Sequence, residues 1–158
     1  MTELERYQSI VQYAVEGIFQ STPDGRYLLV NPALARMYGY ESPVEMPAEV
    51  TDISKSVYVD PTVRDNFKQL MESEGKVTGL EYQVRRKDGT TIWISEHARA
   101  VRNEAGQVIY YEGFVEDITH RKRIEDQLRQ SQKMDAVGRL DRKSTRLNSS
   151  HLVISYAV

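Results

Sequence analysis

No cysteine occurs among the 158 residues. Its absence excludes a disulfide framework, a zinc–cysteine site and all thiol chemistry together. No stretch approaches eighteen consecutive apolar residues, so no membrane-spanning helix is expected. Met1 to Tyr13 lacks the charged-then-apolar order of a signal peptide, which makes the cytoplasm the expected setting. Charge of one sign is also scarce: a net charge of −2 gives no nucleic-acid footprint. What the chain does have is 40% hydrophobic residues and enough length for one domain with a hydrophobic core plus a helical extension. Internal repeats and low-complexity segments are missing.

The pattern changes after Leu140. Asp141 to Val158 abandons acidic and basic helix formers for Ser, Thr and Asn, followed by a short apolar end. Asp141-Arg142-Lys143-Ser144-Thr145-Arg146-Leu147-Asn148-Ser149-Ser150-His151 looks like a sequencing adapter translated in one frame, Leu152-Val153 like an index, and Ile154 to Val158 like the adapter bases beyond it. Residues 141–158 are therefore expected to be a non-native tail that contributes nothing to folding. The alternative is a natural disordered terminus. Setting the tail aside removes three positive charges and one negative one and leaves a more acidic body.

Within that body, Leu4, Tyr7, Ile10 or Val11, and Ala14 recur at helical spacing and predict an amphipathic N-terminal helix over 1–15. Gly17 to Ser21 and Arg26 to Val30 flank Thr22-Pro23-Asp24-Gly25 as a hairpin. Asn31 is placed to cap a helix with Pro32 at its first position, and Gly39 to stop it. Ser42-Pro43-Val44-Glu45 spells a capping box for a second short helix. A third, Thr62 to Ser73, carries Val63, Phe67, Leu70 and Met71 on one face and ends at Gly75. Three strands follow, separated by turns at Lys87-Asp88-Gly89 and Glu104-Ala105-Gly106. Their alternation assigns Leu80, Tyr82 and Val84, then Ile92, Ile94, Glu96, Ala98 and Ala100, then Ile109, Tyr111, Gly113 and Val115, to the core face. A final helix begins near Asp117-Ile118-Thr119 and runs through Leu140.

Glu16-Gly17-Ile18-Phe19, Asp24-Gly25-Arg26-Tyr27, Asn31-Pro32-Ala33 and Tyr38-Gly39-Tyr40 resemble the front half of PAS domains. Arg86-Lys87-Asp88-Gly89, Trp93-Ile94, Ala98-Arg99 and Asp117-Ile118-Thr119 resemble the back half with its PAC motif. The resemblance implies an α+β PAS fold over 16–119, with a five-stranded antiparallel sheet and short helices on one face. Gln132 to Leu140 is similar to the opening of the dimerisation helix of sensor histidine kinases, making 120–140 a linker running into that helix. The resemblance thus implies a signal-sensing domain whose kinase module is missing. This chain would have no catalysis of its own, while its parent would use ATP and a response regulator. A regulatory domain of a nucleotide or diguanylate cyclase, and a ligand-free dimerisation module, are the alternatives. An enzyme of another kind finds no support, since paired acids such as Glu112 and Glu116 assemble with no nucleophile, metal or phosphate loop.

PAS domains hold ligands between sheet and helices, which allows cofactors to be weighed residue by residue. A flavin adduct or thioester-linked chromophore requires cysteine and is excluded. Haem is disfavoured because Asp60 to Gly75 contains no histidine; His97 reads as a surface or interface residue. Noncovalent FAD or another small molecule stays open, and no metal is expected. Glu96 is the one charged residue of its core-facing set, and an ionised carboxylate there needs a partner. It either binds a ligand, with Gln20, Leu80, Tyr82, Ile94, Tyr111 and Val115 around it, or forms an internal hydrogen bond. Trp93, Tyr110 and Phe114 share the opposite face as a patch for a homodimer partner or for the N-terminal helix. Ile124 and Leu128 begin the seam of a two-stranded linker. Asp117, Ile118 and Thr119 are the expected signal-coupling residues, either polar one placed to cap the exit helix.

Overall fold

The alternation between Lys76 and Asp117 produces three long antiparallel strands, and two shorter ones near the N-terminus complete the sheet around them. The computed structural model describes residues 1–148, with side chains described as far as residue 138. In chain order the elements are α1 (Glu3–Tyr13), β1 (Gly17–Ser21), β2 (Tyr27–Val30), α2 (Pro32–Met37), α3 (Glu45–Glu49), α4 (Ile53–Ser56), α5 (Thr62–Ser73), β3 (Lys76–Arg85), β4 (Thr91–Arg102), β5 (Val108–Asp117) and α6 (Thr119–Asn148). The sheet runs β2-β1-β5-β4-β3, with every neighbouring pair antiparallel. Met1–Thr119 forms one compact unit, and a second begins at His120.

Helices α2 to α5 close one face of the sheet. Leu34, Met46, Val50, Ile53, Phe67 and Met71 from the helical side meet Phe19, Val84, Ile94 and Val115 from the strands, all buried. Gly17 lets α2 approach β1: a Cβ there would stand 2.8 Å from the Leu34 side chain. Gly113 answers a tighter demand, because a Cβ there would lie 2.0 Å from the His97 carbonyl oxygen on β4. The segment after α4 covers the outer edge of β3, with Arg85 N–H donating to the Val57 carbonyl at 2.7 Å and Tyr58 bridging to Val84.

Four short helices stand where three were expected. The additional one, α4, is a single turn capped by Asp52, whose Oδ1 accepts from Ser54 N–H; four residues are too few for apolar periodicity to register. Ser42 accepts from Glu45 N–H, while the Glu45 carboxylate returns to Glu41 N–H, one residue outside the expected box. Ile109 leaves the core face and is 45% exposed. A register shift between Val101 and Arg102 pairs Val108 with Arg102 and inserts Ile109 as the extra residue, so Val108 packs inward instead. Helix α6 continues beyond Leu140 to Asn148, through a stretch without proline or glycine. The expectations for 149–158 lie outside the described residues.

Helix α1 has an N-terminal capping box between Thr2 and Glu5. It buries none of its residues; Leu4, Tyr7 and Ile10 are all exposed. What ties its end to the domain is Asn31. This buried side chain donates from Nδ2 to the carbonyls of Val11 and Glu16, both at 3.0 Å, and accepts at Oδ1 from Ile18 N–H at 2.9 Å and Leu34 N–H at 3.0 Å. It caps α2, starts β1 and holds the end of α1 at once. Asn31→Ala should therefore cost more than an ordinary cap, about 2–4 kcal/mol, because it also strands buried backbone groups. Asn31→Asp, which keeps the acceptor, should recover part of that loss in denaturant unfolding.

Candidate functional site

Glu96 reaches the interior because β4 alternates, placing Ile94, Glu96 and Ala98 on the helical side of the sheet. It is 5% exposed. Across the strand pair, Leu80 stands opposite Glu96, and the diagonal neighbour Tyr82 donates its hydroxyl to Glu96 Oε2 at 3.0 Å. The second oxygen, Oε1, is buried without a hydrogen-bond partner. Arg64 enters from the helical side at 4% exposure, its guanidinium 5.3 Å from the Phe67 ring centre and 5.7 Å from that of Tyr111. One terminal nitrogen lies 3.4 Å from the Pro23 carbonyl, and its Nε is buried and unpartnered.

Both unpartnered groups belong to residues lining one internal cavity of about 20 Å³. Tyr27, Tyr38, Tyr58 and Tyr82 share its wall with Ser21, and Leu34, Ile53, Val57, Phe67 and Val115 supply apolar surface. The Tyr58 and Tyr82 rings stack at 5.2 Å. Burial raises the phenols of Tyr27, Tyr38 and Tyr82 well above their usual range and that of Tyr58 to about 12, and the neighbouring Glu96 charge adds to the effect. Burial also lifts the Glu96 carboxyl to about 7, against the hydrogen bond from Tyr82 and the charge of Arg64, which favour ionisation.

The expected pocket residues divide accordingly. Tyr82, Glu96 and Val115 line the cavity. Ile94 and Tyr111 are buried beside it, Tyr111 edge-on to Phe67 at 5.1 Å, and Leu80 is half-buried against the same core. Gln20 is corrected: it lies on the opposite face. Phe19 and Ser21 point inward, so the residue between them points out, where its Nε2 donates to Glu112 Oε2 at 3.1 Å. Glu112 also receives Arg99 at 2.6 Å, and these bonds outweigh partial burial to hold its carboxyl below the usual range. Arg64 was missed, although its spacing from Phe67 and Met71 places all three on one helical face.

A flavin does not fit this interior: a cavity of about 20 Å³ is close to the size of one water, whereas ligand pockets run to roughly 300–1,000 Å³. His97 lies on the outer face, stacked on Phe114 at 4.9 Å. On that face Trp93 and Tyr110 are half-buried and Phe114 is exposed. Among the described residues there is no cluster of three or more His, Asp or Glu suited to a metal, and no helix long and apolar enough to cross a membrane.

At the end of β5, Asp117 Oδ1 accepts from Thr119 N–H at 3.0 Å and from the Thr119 hydroxyl at 2.6 Å. Thr119 Oγ1 accepts from Trp93 N–H, and Ile118 N–H donates to the Trp93 carbonyl. Asp117 thus serves the start of α6, while the Thr119 oxygen is engaged with β4 rather than with the helix. Ile118 is buried. In the second unit, Ile124 and Leu128 are exposed.

The five-stranded antiparallel sheet and its cover of short helices are those of a PAS-type sensor domain. A family model described as the PAS fold matches residues 27–115, more than half of the chain, and the chain belongs to that family. It is similar to a sensory box histidine kinase/response regulator from Burkholderia thailandensis, 31% identical with a TM-score of 0.64, over 82% of this chain and 96% of that one. It also resembles an RNA-binding light-oxygen-voltage receptor, 26% identical with a TM-score of 0.65, over 87% of this chain and 39% of that one. The sensor histidine kinase TmoS of Ectopseudomonas mendocina is 27% identical over 133 residues, which are 80% of this chain and 13% of that protein. The chain therefore spans a small part of this curated relative's length.

Raising the Glu96 carboxyl from an ordinary 4.5 to about 7 means that the folded state binds a proton more tightly than the unfolded chain does. The resulting stability is fully present below pH 4.5 and is lost as pH rises through 7. Denaturant unfolding between pH 5 and 8 should show a decline on the order of 3 kcal/mol from this group. Glu96→Gln should flatten that component; an unchanged decline in the variant would assign it elsewhere.

Proposed function

We propose that this PAS domain is the signal-sensing module of a two-component sensor histidine kinase acting in the cytoplasm, with the Glu96–Tyr82–Arg64 chamber as its sensing pocket. One observation carries the reading: a single strand, β4, bears both the buried carboxyl and the anchor of the exit segment. Glu96 projects into the chamber, and three residues earlier Trp93 holds Ile118 and Thr119 through its own backbone N–H and carbonyl. Glu96 pairs with Val115 and Ile94 with Asp117, so a shift of β4 against β5 reaches the junction directly. The similarity to histidine kinases supports the choice of output, and the parent would then autophosphorylate from ATP and pass the phosphoryl group to a response regulator. In that parent, Asp117→Ala should alter autophosphorylation while leaving the PAS domain folded by circular dichroism. Unaltered basal and stimulated activity would remove the coupling role.

We further propose that the domain works as a homodimer, through the outer sheet face with α1 and through the linker helix. The support is unburied apolar surface: Leu4, Tyr7 and Ile10 on α1, Phe114 on the sheet, and Ile124 and Leu128 on α6. Sedimentation of the isolated chain should report a dimer, and Ile10→Glu combined with Phe114→Glu should shift it towards monomer without lowering the melting temperature.

A further inference from the structure

We propose that the chamber reads the proton itself. Ionisation of the Glu96 carboxyl draws Arg64 into an ion pair between β4 and α5, and β4 carries the change to Trp93 and the exit segment. The proposal rests on the reading of this chamber as the sensing pocket and names its signal. A cavity of about 20 Å³ admits no organic molecule, so whatever acts on Glu96 from inside the domain is no larger than a water. A metal cation of that size would stand against the Arg64 guanidinium. A proton needs no room.

Tyr82 donates to Glu96 Oε2, while Oε1 has no partner and the Nε of Arg64 has none either, although both residues line the same cavity. Arg64 lies instead over the Phe67 and Tyr111 rings, 5.3 and 5.7 Å from their centres, with a terminal nitrogen 3.4 Å from the Pro23 carbonyl. A neutral carboxyl permits this arrangement, because it offers the guanidinium no charge and the aromatic faces hold it. When the carboxyl O–H bond breaks, the proton leaves to solvent and the electron pair stays on the oxygen. A buried anion then stands beside a buried cation, each with a free hydrogen-bonding atom. Enclosed charges are strongly destabilising until they pair. The side chains therefore close on each other, and α5 and β4 gain a link that the protonated domain lacks.

Facing Glu96 are Arg64 from α5, Tyr82 from β3, Tyr27 from β2, Tyr38 after α2 and Tyr58 after α4, with Tyr111 of β5 set against Arg64. From β1 come Phe19 and Ser21, and Asp117 at the end of β5 is exposed. An arginine guanidinium stays charged throughout the physiological range. Burial holds the phenols of Tyr27, Tyr38, Tyr58 and Tyr82 above their usual range and brings the Glu96 carboxyl to about 7. The neutral form thus prevails below that pH and the ion pair above it. The route outward is backbone: Glu96 pairs with Val115 and Ile94 with Asp117, and Trp93 bonds both Ile118 and Thr119.

Carbon-13 and nitrogen-15 NMR of the whole chain from about pH 5 to 9 tests this. The Glu96 carboxyl carbon and the Arg64 Nε–H should titrate together with a midpoint at about 7, and the amides of Trp93, Ile118 and Thr119 should follow with the same midpoint. In Glu96→Gln the Arg64 and exit resonances should keep their low-pH positions throughout. Arg64→Gln should raise the Glu96 midpoint by about one pH unit or more, since a cation that favours ionisation is gone. If that variant fails to fold, Tyr82→Phe, which removes the hydrogen bond to Oε2, should raise it as well. An Arg64 Nε–H that does not follow the carboxyl overturns the ion pair. A Glu96 carbon that does not titrate, with the exit amides still displaced by Tyr82→Phe, overturns the proton as signal and leaves the sensing pocket in place; so do exit amides that titrate equally in Glu96→Gln. Exit amides that respond neither to pH nor to any of these variants overturn both the switch and the pocket reading on which it rests.

Discussion

A guanidinium and a carboxyl group enclosed in the same apolar core, each with an unpartnered atom, set the terms for the rest of this domain. Isolated charges in such surroundings cost several kcal/mol apiece unless they are neutralised or bonded. Here the two come from opposite layers, Arg64 from α5 and Glu96 from β4. The helical cover and the sheet are therefore joined by an electrostatic relation as well as by apolar packing. Tyr82 meets part of the carboxyl's hydrogen-bonding need, and Phe67 and Tyr111 give Arg64 aromatic faces to lie against. Much of the central packing can be read as the support required to hold these two groups out of bulk solvent.

The same residue type takes opposite character one strand away. Glu96 on β4 and Glu112 on β5 differ in parity, so one points into the helical layer and the other onto the outer face. Burial lifts the first to about 7. The second is held low by Arg99 and Gln20 despite partial burial. Nothing about glutamate itself distinguishes them; the pleat does, because successive side chains leave a strand on opposite sides. A one-residue slip of register would exchange these environments, leaving an ion-paired carboxylate where the neutral one belongs. Gly113 resists such a slip, since its neighbour on β4 approaches too closely for any side chain to take its place.

This dependence on parity explains what was legible in the sequence. The three long strands alternate over ten to twelve residues, enough to assign their faces, and the inward position of Glu96 followed from that alternation. β1 has only five residues, too short a run for its alternation to reveal from sequence which face Gln20 takes. Ile109 departed because a bulge adds one residue to the count, and bulges leave little trace in composition. Arg64 was overlooked for a different reason: the helical face was read from its apolar members alone, and an arginine at the same angular position looks like solvated surface until its burial is known. The order of the motifs identified the fold, whereas the site depended on a charged residue located where charge is rarely placed.

The energies also bear on how such a chamber could act on the exit segment under the proposed function. Bonds at the junction among Asp117, Thr119 and Trp93 are of the kind worth about 1 kcal/mol each, enough to bias two arrangements without deciding the fold. The protonation of Glu96 represents a larger quantity, on the order of 3 kcal/mol between its ordinary and its raised affinity. A change in the charge of that carboxyl therefore exceeds what any single junction bond resists. Because Glu96 and Trp93 lie on one strand, the proposed function would have the stress of ionising the buried group reach the strand that anchors Ile118 and Thr119. A weaker pocket interaction would be absorbed by side-chain adjustment, and a stronger junction would not yield. The ordering of the two energies, larger inside and smaller at the exit, is the condition under which an internal charge can move an external helix.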